Sequence, residues 1–160
     1  MVFFNEIRSE LERMSDKAQK EKWSETQWTI GVKEVLVKVG RQNGYRTAAN
    51  QVDSDEGKEW LYDVVWYQAD KAGHMTDVPL VAESEWGGTI SVKEDFEKLL
   101  VSRSKYRVMV FQTMDKKVEL LIKDMKLWIF KFLPTATGDK YLFAGWDVNH
   151  WIFDSYTHEL

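Results

Sequence analysis

The chain has 160 residues, 44% hydrophobic and 14% aromatic with eight tryptophans, which suits one domain with a substantial core and excludes a disordered chain. There are no cysteines, so disulfides, thiolate zinc sites and a cysteine nucleophile are excluded. The net charge of −4 carries no basic footprint, so any nucleic-acid contact must rest on a local basic face. No apolar run reaches the length of a membrane span, and the charged N-terminus has no apolar core of a secretory signal, so a cytoplasmic location without membrane contact is expected.

In chain order, Phe3, Phe4, Ile7, Leu11 and Met14 fall at helical spacing and predict an amphipathic helix ended by the polar DKAQKEKW. Ser24 and Gln27 form a capping box, with Trp23 and Trp28 placed as a hydrophobic staple. The helix they open carries the stripe Trp28, Val32, Val35, Leu36, Val39, and Ile30 and Val37 on a second side; Gly40 and Gly44 are expected to end it. By periodicity Glu34, beside that second stripe, reads as a solvated glutamate. A short strand is expected at Tyr45 to Ala49, followed by the loop QVDSDEGK.

The stretch from Glu59 to Trp86 reads as a β-hairpin, two apolar runs around a polar connection from Asp70 to Asp77. In its first strand Trp60, Tyr62, Val64 and Trp66 share one face and Leu61, Asp63 and Val65 the other, so both faces are largely apolar, as in a sheet covered on both sides. Glu83 and Glu85, two apart in the second strand, point the same way. With the hairpin symmetric about Gly73, Asp63 falls opposite Glu83. Three carboxylates on one face repel unless a cation or protons neutralise them, and an aspartate among apolar neighbours needs a partner. The structural alternative is three edge residues facing water.

After Trp86, Gly87 and Gly88 break the strand. Ser91 and Glu94 read as a second capping box, opening a helix over 91–104 with Val92, Phe96, Leu99 and Leu100 inward. Strand, helix and the strand YRVMVF (Tyr106 to Phe111) read as a right-handed βαβ crossover. Val118, Leu121, Ile122, Met125, Ile129 and Phe132 mark a long helix closed by Pro134 and Gly138, and the chain ends in a hairpin turning near Asp147–His150. His74, His150 and His158 have no metal-ligand spacing and read as surface histidines. Lys116, Lys117, Lys123, Lys126 and Lys131 form a solvated or a phosphate-tracking face, with Arg103, Lys105 and Arg107 adding positive charge. The tryptophans read as core, although Trp86 beside the acid pair could stack on a base.

The fold class expected is α/β: a mixed central sheet in an α-β-β-β-α-β core at about 24–112, flanked by helices, within one domain over 1–160, plus an N-terminal helix and a C-terminal helix and hairpin. That order, with acids at Glu34, Asp63 and Glu83-x-Glu85 and the phrase VAESEWGGTISVKEDFEKL, resembles the PD-(D/E)XK nuclease superfamily, the restriction-endonuclease-like fold. In that superfamily a helix glutamate, a strand aspartate and an acid-x-lysine pair hold magnesium or manganese against a scissile phosphate. The resemblance therefore implies Asp63, Glu83 and Glu34 as metal-holding residues and Glu85 or Lys98 as the group that activates water. Its departure is Glu85, where the family usually has lysine; in some members the lysine has moved to the following helix, which makes Lys98 the candidate and Lys93 the second. The resemblance implies a magnesium-dependent nuclease acting on nucleic acid, DNA before RNA, with a homodimer as an open possibility. The other reading is a relative without catalysis, serving as a binding or assembly module.

Overall fold

The computed structural model describes residues 2–160. Four helices and six strands follow in the order α1 (Val2–Glu21), α2 (Glu25–Gln42), β1 (Arg46–Ala48), β2 (Val64–Ala69), β3 (Met75–Glu85), α3 (Thr89–Leu100), β4 (Tyr106–Gln112), α4 (Val118–Lys131), β5 (Lys140–Asp147) and β6 (His150–Thr157). The strands form one mixed six-stranded sheet in the order β1-β2-β3-β4-β5-β6, so the fold is α/β with the α-β-β-β-α-β core that the sequence implies. Two compact units divide the chain, Met1–Val81 and Ala82–Leu160, and the boundary falls within β3.

In the first unit α1 packs on α2, and α2 packs on β1 and β2. The capping box forms: Gln27 N–H donates to Ser24 Oγ at 3.3 Å, and Ser24 N–H to Gln27 Oε1 at 2.8 Å. Helix α1 does not stop at the polar stretch, because Ala18 continues the buried row Phe4, Ile7, Leu11, Met14 by one more turn. Gly40 does not end α2 either. It lies inside the helix, where Trp66 crosses so closely that an added Cβ would stand 2.6 Å from Nε1. Trp66 is fully buried, donates from Nε1 to Leu36 O at 2.9 Å and stacks on Tyr45 at 5.6 Å. The helix closes at Asn43, followed by Gly44 with φ +82°, the left-handed position that favours glycine. Lys33, buried on α2, donates to Asn50 Oδ1 at 2.5 Å and ties the helix to the loop after β1.

Strand β1 pairs antiparallel with β2, Thr47 opposite Trp66. The first hairpin strand begins at Val64, not at Trp60. Leu61 has φ +61° and stands 84% exposed, Tyr62 N–H turns back to Trp60 O, and the Trp60 ring packs on Tyr67 at 4.6 Å. Alternation of faces therefore does not extend through 60–63, and Asp63 stands at the bend just before the strand. The connection to β3 is tighter than the sequence suggests, spanning Asp70 to His74. Asp70 Oδ1 accepts the N–H groups of Ala72 and His74 at 2.9 Å, and Gly73 takes φ +87°. A link this short joins antiparallel neighbours.

In the second unit β4 and β5 are parallel, Val108 opposite Leu142, with α4 as their crossover, and β5 and β6 are antiparallel, Asp147 opposite His150 across the final turn. Val92, Phe96, Leu99 and Leu100 of α3 and Val118, Leu121, Ile122, Met125 and Ile129 of α4 are buried, as their spacing predicts. The second capping box does not form. Helix α3 starts at Thr89 with Gly88 as its N-cap and no side-chain cap of its own. Its orphan N–H at Thr89 is taken by Asp115, from the loop after β4, at 3.0 Å. The helix ends at Leu100 rather than 104; Arg107 Nε donates to Leu99 O in its last turn and Nη2 to Ser102 O just beyond it. Among the described residues no helix is long and apolar enough to cross a membrane.

Candidate functional site: Glu83 and Lys98

A glutamate in the inner half of a strand must have a cationic or hydrogen-bonding partner, because an isolated buried carboxylate is far too costly. Glu83 on β3 is 2% exposed, and Lys98 from α3 brings its Nζ to 2.5 Å from Glu83 Oε1. The lysine is 45% exposed and also lies 3.7 Å from Asp95 Oδ1, one turn earlier on the same helix. So the pair has one desolvated and one wet member. Removing a partner from a fully buried pair costs on the order of 3–5 kcal/mol; with Lys98 this exposed, solvent screens part of that.

Glu85, two residues on, is half-buried and bound to its own chain. Its Oε1 accepts the N–H of Trp86 at 3.0 Å and of Gly87 at 2.8 Å. The glycine matters here, since a Cβ at 87 would come to 3.0 Å from that oxygen. The glycine pair after the strand thus shapes a carboxylate-binding turn besides breaking the strand. Lys93, the second lysine candidate, lies over the Trp128 ring at 5.6 Å instead.

The first unit holds the other two acids. Glu34 is exposed on α2 and lines a surface groove with Lys17, Trp23 and Gln27. Asp63 is half-buried at the bend before β2. Within the second unit the structure brings together Glu83 and Lys98. Among the described residues no three His, Asp or Glu side chains form a group that could hold a metal ion. Magnesium is usually held through one or two carboxylates, with water and substrate phosphate completing its shell. Glu83 Oε1 is taken by the Lys98 ammonium and Glu85 Oε1 by two backbone N–H groups, so a cage made by protein alone does not fit.

The other charged residues divide by partner. Lys116, before the start of α4, pairs with Asp124, and Lys126 on α4 lies 2.5 Å from Asp154, so two of these five lysines are tied to carboxylates. Arg107 is buried and does not add to a surface charge. His158 is buried as well, against expectation, with Nδ1 3.2 Å from the Tyr156 hydroxyl, while His74 is exposed beside Asp70 at 3.2 Å. Arg107 and His158 carry no mark in the sequence that separates them from surface residues; long-range packing buries them. Comparison with family models, with curated protein sequences and with solved structures finds no match to this chain.

Proposed function

We propose that this chain is a magnesium-dependent nuclease of the PD-(D/E)XK kind, hydrolysing phosphodiester bonds in nucleic acid. The observation that carries this reading is the contact between Glu83, buried on β3, and Lys98, reaching from α3 to 2.5 Å. It is the contact that the superfamily's displaced lysine would make. The α-β-β-β-α-β order supports the same reading.

In this reading Glu83 and Glu85 would hold the metal, which when bound supplies positive charge against the phosphoryl oxygens. Lys98 keeps the buried Glu83 charge balanced, and its exposed ammonium can donate to a phosphate oxygen or orient the attacking water. The resemblance gives Asp63 and Glu34 the strand-acid and helix-acid roles; both belong to the first unit, and the site proposed here rests on the second unit alone. A second reading, a catalytically silent relative that binds nucleic acid or a partner, is favoured by Glu85, whose Oε1 is already engaged by two backbone N–H groups.

Two measurements on one set of proteins decide between them. The wild type should cleave DNA in magnesium or manganese, and Glu83→Gln should lose activity by orders of magnitude. Magnesium should raise the wild-type melting temperature by mass action, a gain of about 2.7 kcal/mol at a hundredfold excess over Kd, and should do so less for Glu83→Gln. Nucleic acid bound but never cut, with melting indifferent to magnesium, selects the silent relative. Cleavage that survives Glu83→Gln removes the proposed site.

A further inference from the structure

Helix α4 packs by one face, yet the side turned away from the core is not polar. Val118, Leu121, Ile122, Met125 and Ile129 are buried, as a helix docked on one stripe requires. The opposite side should then carry charge alone, but Leu120 is 49%, Leu127 47% and Phe130 70% exposed. Leu133, just past the helix, is 95% exposed. Single exposed apolar residues are ordinary; these do not scatter. Leu120, Lys123, Leu127 and Phe130 follow the alternating three-and-four spacing that lines one side of a helix and makes the seam where two helices pair.

The charge on this side is mostly of one sign. Lys116 is held by Asp124 and Lys126 by Asp154, but Lys117, Lys123 and Lys131 are exposed and have no ion pair among the described residues. Against them stands one exposed acid of the helix, Glu119, so three charges against one leave a net +2 in a chain whose total is −4. Lys117 is the N-cap of α4, makes no side-chain cap bond and adds a cation at the positive end of the helix dipole. The fold alone gains nothing from a lysine in that place.

We propose that the outer face of α4 docks an acidic amphipathic helix of a partner protein. Its apolar stripe lies on Leu120, Leu127 and Phe130, and its carboxylates meet Lys117, Lys123 and Lys131. A second copy of this chain would set the same lysine-rich face against itself across a two-fold axis, like charge toward like. A nucleic-acid backbone offers phosphates but nothing to cover the leucines and the phenylalanine. A lipid leaflet keeps its anions at the headgroups, whereas Lys123 lies within the apolar seam and needs its anion there. A helix with acids flanking an apolar stripe meets both demands. This surface does not depend on the Glu83–Lys98 site.

The test titrates the full chain with a peptide that repeats the heptad Leu-Ala-Gln-Leu-Glu-Ala-Glu, followed by fluorescence anisotropy and amide chemical shifts. Glutamate on both flanks of its leucine seam keeps this probe from pairing with itself. The control peptide has lysine in place of glutamate. The variants are Phe130→Gln and the double change Lys123→Glu with Lys131→Glu, all at exposed helix positions and all to good helix formers, so the fold should persist in melting curves. The glutamate peptide should saturate at 1:1 with a Kd of about 100 μM or tighter, with the largest shifts on α4, and the lysine peptide should not saturate. Each variant should weaken binding at least about tenfold. No saturation by the glutamate peptide, equal binding of the lysine peptide, or indifference to either variant would overturn the proposal. Self-association of the wild type that Phe130→Gln abolishes would assign the face to a second copy and overturn it too. So would binding of duplex DNA or phosphatidylserine vesicles that both variants lose.

Discussion

Gly40 shows how one residue is decided by its neighbour across the core. In the interior of α2 a glycine costs about 1 kcal/mol relative to alanine, so helix propensity alone makes Gly40→Ala stabilising. The Trp66 ring reverses that sign. Its Nε1 would lie 2.6 Å from the new Cβ, and the ring is held by its bond to Leu36 O and by stacking on Tyr45. Overpacking of this kind costs about 1–3 kcal/mol, which outweighs the gain. Gly40→Ala should therefore lower stability, by up to about 2 kcal/mol, in urea unfolding. A variant more stable than the wild type would mean that Trp66 can move aside. Glu83 is the converse case. Its place in an apolar strand marks it as a candidate buried acid, with an edge residue facing water as the alternative. Burial at 2% with a lysine partner then follows from the cost of leaving such a charge alone.

At the scale of the element, α3 is capped from outside itself. Asp115 accepts Thr89 N–H at 3.0 Å, Thr89 Oγ1–H at 2.7 Å and Thr113 Oγ1–H at 2.9 Å. These bonds, the Thr89 hydroxyl first, hold the Asp115 carboxyl below the usual aspartate range. A depressed folded-state pKa means that the ionised form is favoured by folding. The stabilisation is fully present above the unfolded value of about 3.9 and is lost as pH falls through the folded value. Melting curves of wild type and Asp115→Asn should accordingly differ most near neutral pH and converge only as pH falls through the depressed folded value. A gap that stays constant down to acid pH would show that the charge of Asp115 plays no part in the cap. The spacing of Ser91 and Glu94 fits a capping box, yet the helix begins two residues earlier. A cap supplied from 26 residues away leaves no local signature.

For the molecule as a whole, the exposed margin of the sheet matters most. Strand β6 is last in the order, and unpaired N–H groups at such a margin invite another chain. His158 N–H bonds across to Asp139 O, so by alternation the N–H of Ser155 points outward. Asp154 covers that group: its Oδ1 accepts Ser155 N–H at 2.8 Å, and its Oδ2 lies 2.5 Å from Lys126. Asp154→Ala should expose the margin and shift the protein toward dimers or larger species, eluting earlier than wild type in size-exclusion chromatography as concentration rises. Lys126→Ala, which leaves Asp154 over Ser155, serves as the control and should elute as wild type does. Unchanged elution of Asp154→Ala across the concentration range would show that Asp154 is not what protects β6.

Local pattern was enough to specify the element order, the faces of α2, α3 and α4, the hairpin about Gly73 and the acids of β3, because periodicity and turn chemistry act within a few residues. Lys98 is singled out by the resemblance to the PD-(D/E)XK superfamily and not by local pattern, and its 2.5 Å contact is legible in neither. Long-range packing settled what depends on residues far apart in the chain: the glycine under Trp66, the cap from Asp115, and the burial of Arg107 between Tyr141 and Asp139. It also set where the first hairpin strand begins, since the left-handed turn at Leu61 is held by Trp60 packing on Tyr67. The order of residues says which face is buried, but what stands against that face is set only when distant elements meet and each buried polar group must find its partner.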